Sequence, residues 1–172
     1  MVLSGFAATD GTANDVSVVG DYAACIADGE NGLQVINISD KTEPARAGAL
    51  ATDGTAEAVH AQNEYAYIAD GNMGMTIADV SDPAAPEGVG YLDTDGYCRD
   101  VYVTGDHAYL ADGDNGVVIA DISDRTDPQQ TAVIHTGGNA RGVFVDLDTA
   151  YVAAGSGGLT LMDVTDPGAP TV

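Results

Sequence analysis

Tryptophan is absent from the 172 residues, lysine occurs once, and phenylalanine and cysteine occur twice each. Each scarcity excludes something. Cys25 and Cys98 are too few for a disulfide framework and read as small buried hydrophobes. No apolar run reaches the ~18 residues that a spanning helix requires, so no membrane insertion is expected. Lys41 and four arginines stand against 27 acidic residues, for a formal charge of −22. Nucleic acid and anionic lipid surfaces are held by clustered Lys and Arg, so neither is an expected partner. With so few bulky aromatics, the core must come from Val, Ile, Leu, Ala and Tyr. Hydrophobic residues make up 45% of the chain, and its length suits one domain over residues 1–172.

The acidic excess also repels itself. Added salt shortens the screening length from ~8 Å at physiological strength to ~3 Å at 1 M. The composition therefore predicts a protein of saline surroundings, halophilic or placed at a cell surface. The opening "MVLSGFAATDG" has no basic stretch followed by a long apolar core and does not read as a signal peptide. A secreted form would carry its signal outside these residues. Charge alone is equally compatible with a cytoplasmic protein.

What the chain has in abundance is one repeated phrase. "AYIADGNMGMTIADVSDP" (66–83) returns as "AYLADGDNGVVIADISDR" and as "AYVAAGSGGLTLMDVTDP". The repeating unit begins at "DGTANDV" (10–16), "DGTAEAV" (53–59), "DGYCRDV" (95–101) and "GGNARGV" (137–143), giving units 10–52, 53–94, 95–136 and 137–172. One extra residue falls in "YAACIADG", and a β-bulge near Ala24 is expected to absorb it. Each unit holds four short alternating runs, separated by Gly, Asp, Asn, Ser and Pro clusters that favour turns. No segment shows sustained helical periodicity. Four antiparallel strands per ~42 residues, repeated, predict an all-β fold, a four-bladed β-propeller.

The fourth unit stops at "DPGAPTV", before its last strand. Residues 1–9 precede the first unit, and Gly5–Thr9 match "GYLDT" (90–94). The N-terminal strand is therefore expected to close the last blade and remove its sheet edge. The same pattern fits a strand-exchanged dimer, two chains forming an eight-bladed ring; the monomeric ring is the preferred expectation. Ala13, Ala56, Cys98 and Ala140 share one slot before the first strand, where only a small side chain would fit.

The third runs read "LQVIN" (33–37), "MTIAD" (75–79), "VVIAD" (117–121) and "LTLMD" (159–163). With the preceding "ADGxxG" and the following "SDPxxP", the chain resembles the LVIVD repeat family. The resemblance covers all four units and implies a β-propeller of bacterial or archaeal origin, mostly surface or secreted. It carries over no catalytic motif. Asn37 in place of Asp, and "AAGSGG" (153–158) in place of "ADGxxG", depart from the pattern.

The recurring Asn37, Asp79, Asp121 and Asp163, and the Ser/Thr-Asp pairs after them, read as turn chemistry, because a single active site needs no fourfold repetition. "DGDNG" (112–116) imitates a calcium loop only through Asp112 and Asp114; Gly116 and Ser123 stand where further ligands are required. His60, His107 and His135 fall in three different slots of the repeat, which suits neither a metal cluster nor a proton relay. No catalytic residue, metal or cofactor is expected.

Function in a repeat protein is sought where the repeat breaks. On the face shared by the inter-blade loops, the first three units offer carboxylates, among them Asp28, Asp70 and Asp112. The fourth offers Gly137, Gly142, Ala154 and Ser156 instead. Arg99 and Arg141 begin inner strands, where Asn14 and Glu57 hold the matching slots. Asn14, Glu57, Arg99 and Arg141, with Asp15 and Asp100 beside them, are the candidate ligand-binding rim. Its arginines suit a carboxylate or a carbohydrate hydroxyl, or else they neutralise Asp15, Glu57 and Asp100. The expected function is a non-catalytic scaffold or binding module for an unknown protein or small molecule. The alternatives are a hydrolase- or lyase-type enzyme in the propeller mouth and a structural assembly unit.

Overall fold

The computed structural model describes residues 5–21 and 23–172. Its strands form four antiparallel sheets, one per repeat. Blade 1 contains β1 (Asp15–Val19), β2 (Ala23–Ala27), β3 (Leu33–Asn37) and β4 (Ala45–Leu50). Blade 2 contains β5 (Ala58–Gln62), β6 (Tyr65–Ala69), β7 (Met75–Asp79) and β8 (Glu87–Leu92). Blade 3 contains β9 (Asp100–Thr104), β10 (His107–Ala111), β11 (Val117–Asp121) and β12 (Gln129–Ile134). Blade 4 has three strands, β13 (Gly142–Asp146), β14 (Thr149–Ala153) and β15 (Leu159–Asp163), with a single bridge from Asp163 to Thr171. This is the expected four-bladed β-propeller architecture.

The second and third strands of blades 2 and 3 are buried along almost their whole length, because neighbouring blades cover both faces of these sheets. Three apolar clusters fill the three junctions between successive blades. Leu33, Val35 and Cys25 of blade 1 meet Val59, Ile68 and Val80 of blade 2. Tyr67, Met75 and Ile77 then meet Val101, Leu110 and Ile122. Tyr109, Val117 and Ile119 meet Val143, Val152 and Met162. We call the face turned toward the preceding blade leading and the other trailing. The small-residue slot works as anticipated. Ala56, Cys98 and Ala140 are fully buried and pair in antiparallel bridges with Gly29, Gly71 and Gly113 of the preceding blade.

A buried carboxylate secures each of those turns. Asp70 accepts from the Gly54 N–H and the Thr52 hydroxyl, and Asp112 accepts from the Gly96 N–H, the Thr94 hydroxyl and the Asn115 amide. Asp28 accepts from the Gly11 N–H alone. All three side chains are buried. The "DG" aspartates are thus internal ties, and the expectation that they are displayed on the top face is corrected. At the outer ends, Asn37, Asp79, Asp121 and Asp163 accept the N–H two residues on, at 2.8–2.9 Å, as the turn reading predicts.

Two details differ from the sequence reading. The extra residue of the first repeat is not taken up by a bulge at Ala24: β1 ends at Val19 and β2 begins at Ala23, whereas β5 ends at Gln62 and β6 begins at Tyr65. β2 pairs without a register shift on either side. A bulge at Ala24 would turn later side chains to the wrong face, and a loop insertion avoids that. The bulges lie instead between the third and outer strands of blades 1 to 3.

The second detail concerns the ends. Residues 1–4 of the expected closing strand lie outside the described residues. Residues 5–9 are not in a strand with β15 but run beside blade 1, where they line a groove with Ala24, Ile26, Ile36 and Pro44. The inner strands β1, β5, β9 and β13 stand side by side in that order, and β13 is not packed beside β1 as the others are on their neighbours. Among the described residues the four blades of one chain therefore form an open arc, with the end faces of blades 1 and 4 exposed.

The turns between first and second strands generate a test. Gly20, Asn63, Gly105 and Leu147 all adopt φ between 53° and 58° there. Only Leu147 pays the full left-handed penalty, with its side chain exposed. Leu147→Gly should raise stability by ~1 kcal/mol and Gly105→Leu should lower it similarly, measured by urea unfolding.

Candidate functional site

The turn between second and third strands and the linker into the next blade share one face, as the Gly29–Ala56 type bridges require. Asn14, Glu57, Arg99 and Arg141 each precede an inner strand on that face. Their own backbone N–H groups are held alike, each donating at 2.8 Å to Ala27, Ala69, Ala111 and Ala153. The chain therefore presents four equivalent positions along an arc, filled by Asn, Glu and, twice, Arg.

Their contacts differ. The Asn14 amide donates to the Ala56 carbonyl at 2.9 Å. Asn14 and Glu57 line a polar cleft at the junction of blades 1 and 2, with Thr12, Thr55, Glu30 and Asn31. The Glu57 carboxylate accepts from the Tyr97 hydroxyl, and the Arg99 guanidinium lies 4.8 Å from the centre of the Tyr97 ring. Tyr97 also lies close over Gly71, the turn glycine of blade 2, so it occupies the next junction. Its hydroxyl pKa is raised, mainly by the bond to Glu57 and then by burial. At the third junction Asn139 donates to Asp114 at 2.8 Å. Of the three junctions, the first holds the open polar cleft.

Arg99 and Arg141 are exposed. Among the described residues the one ion pair within 4 Å joins Arg46 to Asp10. The two rim arginines are therefore not consumed by Asp15, Glu57 or Asp100. Those aspartates do a different job. Asp15 accepts the Val59 N–H at 3.0 Å, and Asp100 accepts the N–H groups of Val101 and Val143 at 2.9 and 2.8 Å. Each binds its inner strand to the next. Burial raises the Asp100 pKa, and the Asp15 charge adds to the rise while the two backbone bonds oppose it.

Below the rim, sequence reasoning missed a row of rings. His60 packs edge-on to Tyr102 at 4.8 Å, and Tyr102 to Phe144 at 4.9 Å. His60 is half-buried, and burial lowers its pKa while Asp100 and Asp15 pull it up. These residues, with Ser17, occupy one inner-strand slot that the repeat varies freely. Tyr97 likewise holds a slot filled elsewhere by Thr12, Thr55 and Asn139. In both cases the available signal was a departure from the repeat.

The turn carboxylates make the acid behaviour predictable. Hydroxyl bonds from Thr42, Thr126 and Thr165 lower the pKa values of Asp40, Asp124 and Asp163, and the Ser123 N–H lowers that of Asp121. Their stabilisation is present above the ordinary value of 3.8 and is lost as the pH falls through the lowered values. Asp100, with a raised pKa, contributes in the opposite sense. Substituting Asn at all four turn positions should keep an acceptor oxygen for each turn, as Asn37 does in the slot shared with Asp121 and Asp163, and remove the acid-dependent part. That variant should lose less of its Tm between neutral pH and about pH 2 than the wild type loses.

The comparisons with known proteins agree with this architecture. The computationally designed Ika4 protein superposes with a TM-score of 0.78 at 7% identity, over 95% of this chain and 98% of that one. The computationally designed Ika8 protein superposes with a TM-score of 0.74, also at 7% identity, over 91% of this chain and 47% of that one. This chain thus spans about half the length of the second protein. At such identity the likeness is one of fold. A search of curated proteins finds no match. The LVIVD repeat model matches residues 10–52, 53–94, 95–136 and 137–172, the four blades in turn. The chain belongs to the LVIVD repeat family.

Proposed function

We propose that the chain is a non-catalytic binding module that holds a polar partner against the top face, working outside the cell in saline surroundings. One observation carries the reading. A chain with five basic residues places two of its arginines, exposed and without an acid partner among the described residues, in equivalent slots of one rim. Asn14 and Glu57 supply amide and carboxylate groups along the same arc, and the polar cleft at the first junction opens between them. Exposed guanidinium forks suit carboxylates and vicinal hydroxyls, so the partner is an acidic peptide or a carbohydrate. Backbone ties occupy Asp15 and Asp100, which position the strands beneath.

The surrounding scaffold supports a display role. The turn carboxylates, the buried "DG" aspartates and the apolar junctions all maintain the blades, and none converges on the rim. Among the described residues no helix is long and apolar enough to cross a membrane.

Two measurements test the proposal. On a glycan and acidic-peptide array, the Arg99→Ala, Arg141→Ala double variant should lose capture by tenfold or more while its melting curve is unchanged. Unchanged capture, or a lowered melt, assigns both arginines to the scaffold. Thermal melts at low and at ~1 M salt test the saline setting, since screening should raise Tm by relieving self-repulsion. An unchanged midpoint rejects it.

A further inference from the structure

The three internal junctions define what a covered blade looks like, and the two ends of the arc lack that cover. Val16 and Val18 on the leading face of blade 1 are 58% and 54% exposed, whereas Val59, Val101 and Val143 in the first slot and Val103 and Val145 in the second are buried. Leu159 and Leu161 on the trailing face of blade 4 are 65% and 49% exposed, whereas Leu33, Met75 and Val117, and Val35, Ile77 and Ile119, are fully buried. Tyr151 and Phe144 lie on that same trailing face and are exposed too. Each end thus keeps the residues of a junction and lacks the opposing half. The halves match: one end is a trailing face and the other a leading face.

Backbone groups repeat the message. Gly29, Gly71 and Gly113 each bridge the small residue of the next blade. Gly155 holds the same left-handed conformation, φ +54° against +62°, +59° and +64°, yet the described residues give it no such bridge. Ala13 is the small residue left over. Gly32, Gly74 and Gly116 are crowded by the outer-strand carbonyls of Leu50, Leu92 and Ile134, while a Cβ on Gly158 would meet nothing within 4 Å. Among the described residues, the slot for an outer strand beside β15 is open beyond the bridge from Asp163 to Thr171.

The missing strand is already placed for a neighbour. Gly48 and Gly90 abut the Pro-containing loop of the blade that follows theirs, and Gly5 abuts Lys41 and Pro44 of blade 1 in the same way. Residues 5–9 therefore lie where the outer strand of a blade preceding blade 1 would lie. Asp28 records the incomplete state. Asp70 and Asp112 take a hydroxyl from Thr52 and Thr94, but Oδ1 of buried Asp28 has no partner, although Thr9 holds the corresponding position.

We propose that two copies of the chain close into one eight-bladed ring. The trailing face of blade 4 in each copy covers the leading face of blade 1 in the other, and residues 5–9 of each complete the last sheet of the other. A second copy is the occupant because it alone brings both complementary faces and the absent strand at once. This arc superposes on about half of a chain twice its length. Head-to-tail contacts that close after two copies leave no free face and no open edge. In the closed ring Gly155 bridges Ala13 of the other copy, and the Thr9 hydroxyl reaches Asp28 as the strand is drawn into register. The rim of Asn14, Glu57, Arg99 and Arg141 is half of a circle that the second copy completes. This inference does not depend on the rim binding a ligand.

Sedimentation equilibrium and light scattering of the full chain at ~1 M salt test it, since screening weakens repulsion between two polyanions. The expected mass is twice 17.4 kDa, with dissociation promoted by low salt. Val16→Asp and Leu161→Asp alter opposite ends, and each should give a folded monomer by circular dichroism. Mixed, the two variants should form a one-to-one dimer through the single intact junction. A wild-type monomer up to millimolar concentration overturns the proposal. A trimer or an open-ended series does so too, as does a dimer that both substitutions leave intact.

Discussion

The structure rests on burial of one blade's trailing face against the leading face of the next. Five-residue strands are too short to stand as isolated hairpins, and each sheet depends on the cover that its neighbours supply. Ala56, Cys98 and Ala140 let successive sheets approach at the inner end, and Val, Ile, Leu and Tyr fill the wider space behind them. Burial of one such aliphatic side chain contributes ~1.5–3 kcal/mol, so each junction outweighs any single polar contact in the chain. The same packing sets the angle between blades and hence the shape of the arc.

Polar chemistry then fixes what burial leaves loose. The aspartates are mostly used twice over: they keep the surface charged, and at each strand end they capture backbone N–H groups that would otherwise be left to water. Three of them are buried and join the turn of one blade to the linker that enters it. A protein with so few lysines thereby makes its acidic residues structural through bonds to backbone N–H and hydroxyl groups, with Arg46–Asp10 the one ion pair among the described residues. The rim arginines stand apart from this economy, which is why a binding role is proposed for them.

Much of the fold was legible because repetition averages out local ambiguity. "IADG" followed by "IADVSDP" fixes two strands and two turns in every copy, and the small-residue slot explained Cys98 before any geometry was available. The side-chain partners were harder. The "DG" aspartates look like surface turn residues, and only the close approach of Gly54 and Gly96 to them reveals burial. Tyr97 could not be joined to Glu57 without knowing which loops lie side by side. The extra residue near Tyr22 was assigned to a bulge because a loop insertion and a bulge are identical in a bare sequence. The path of residues 5–9 depended on curvature, which is set by packing volumes that periodicity does not contain.

The central claim is that identical slots are stabilising only when a neighbouring blade covers them. Urea unfolding of Val101→Asp and Val16→Asp, both placed in a Leu161→Asp background and studied in dilute solution, compares one slot with and without cover. The account predicts a loss of at least ~3 kcal/mol for the covered position and under ~0.5 kcal/mol for the open one. Equal losses at the two positions would contradict it.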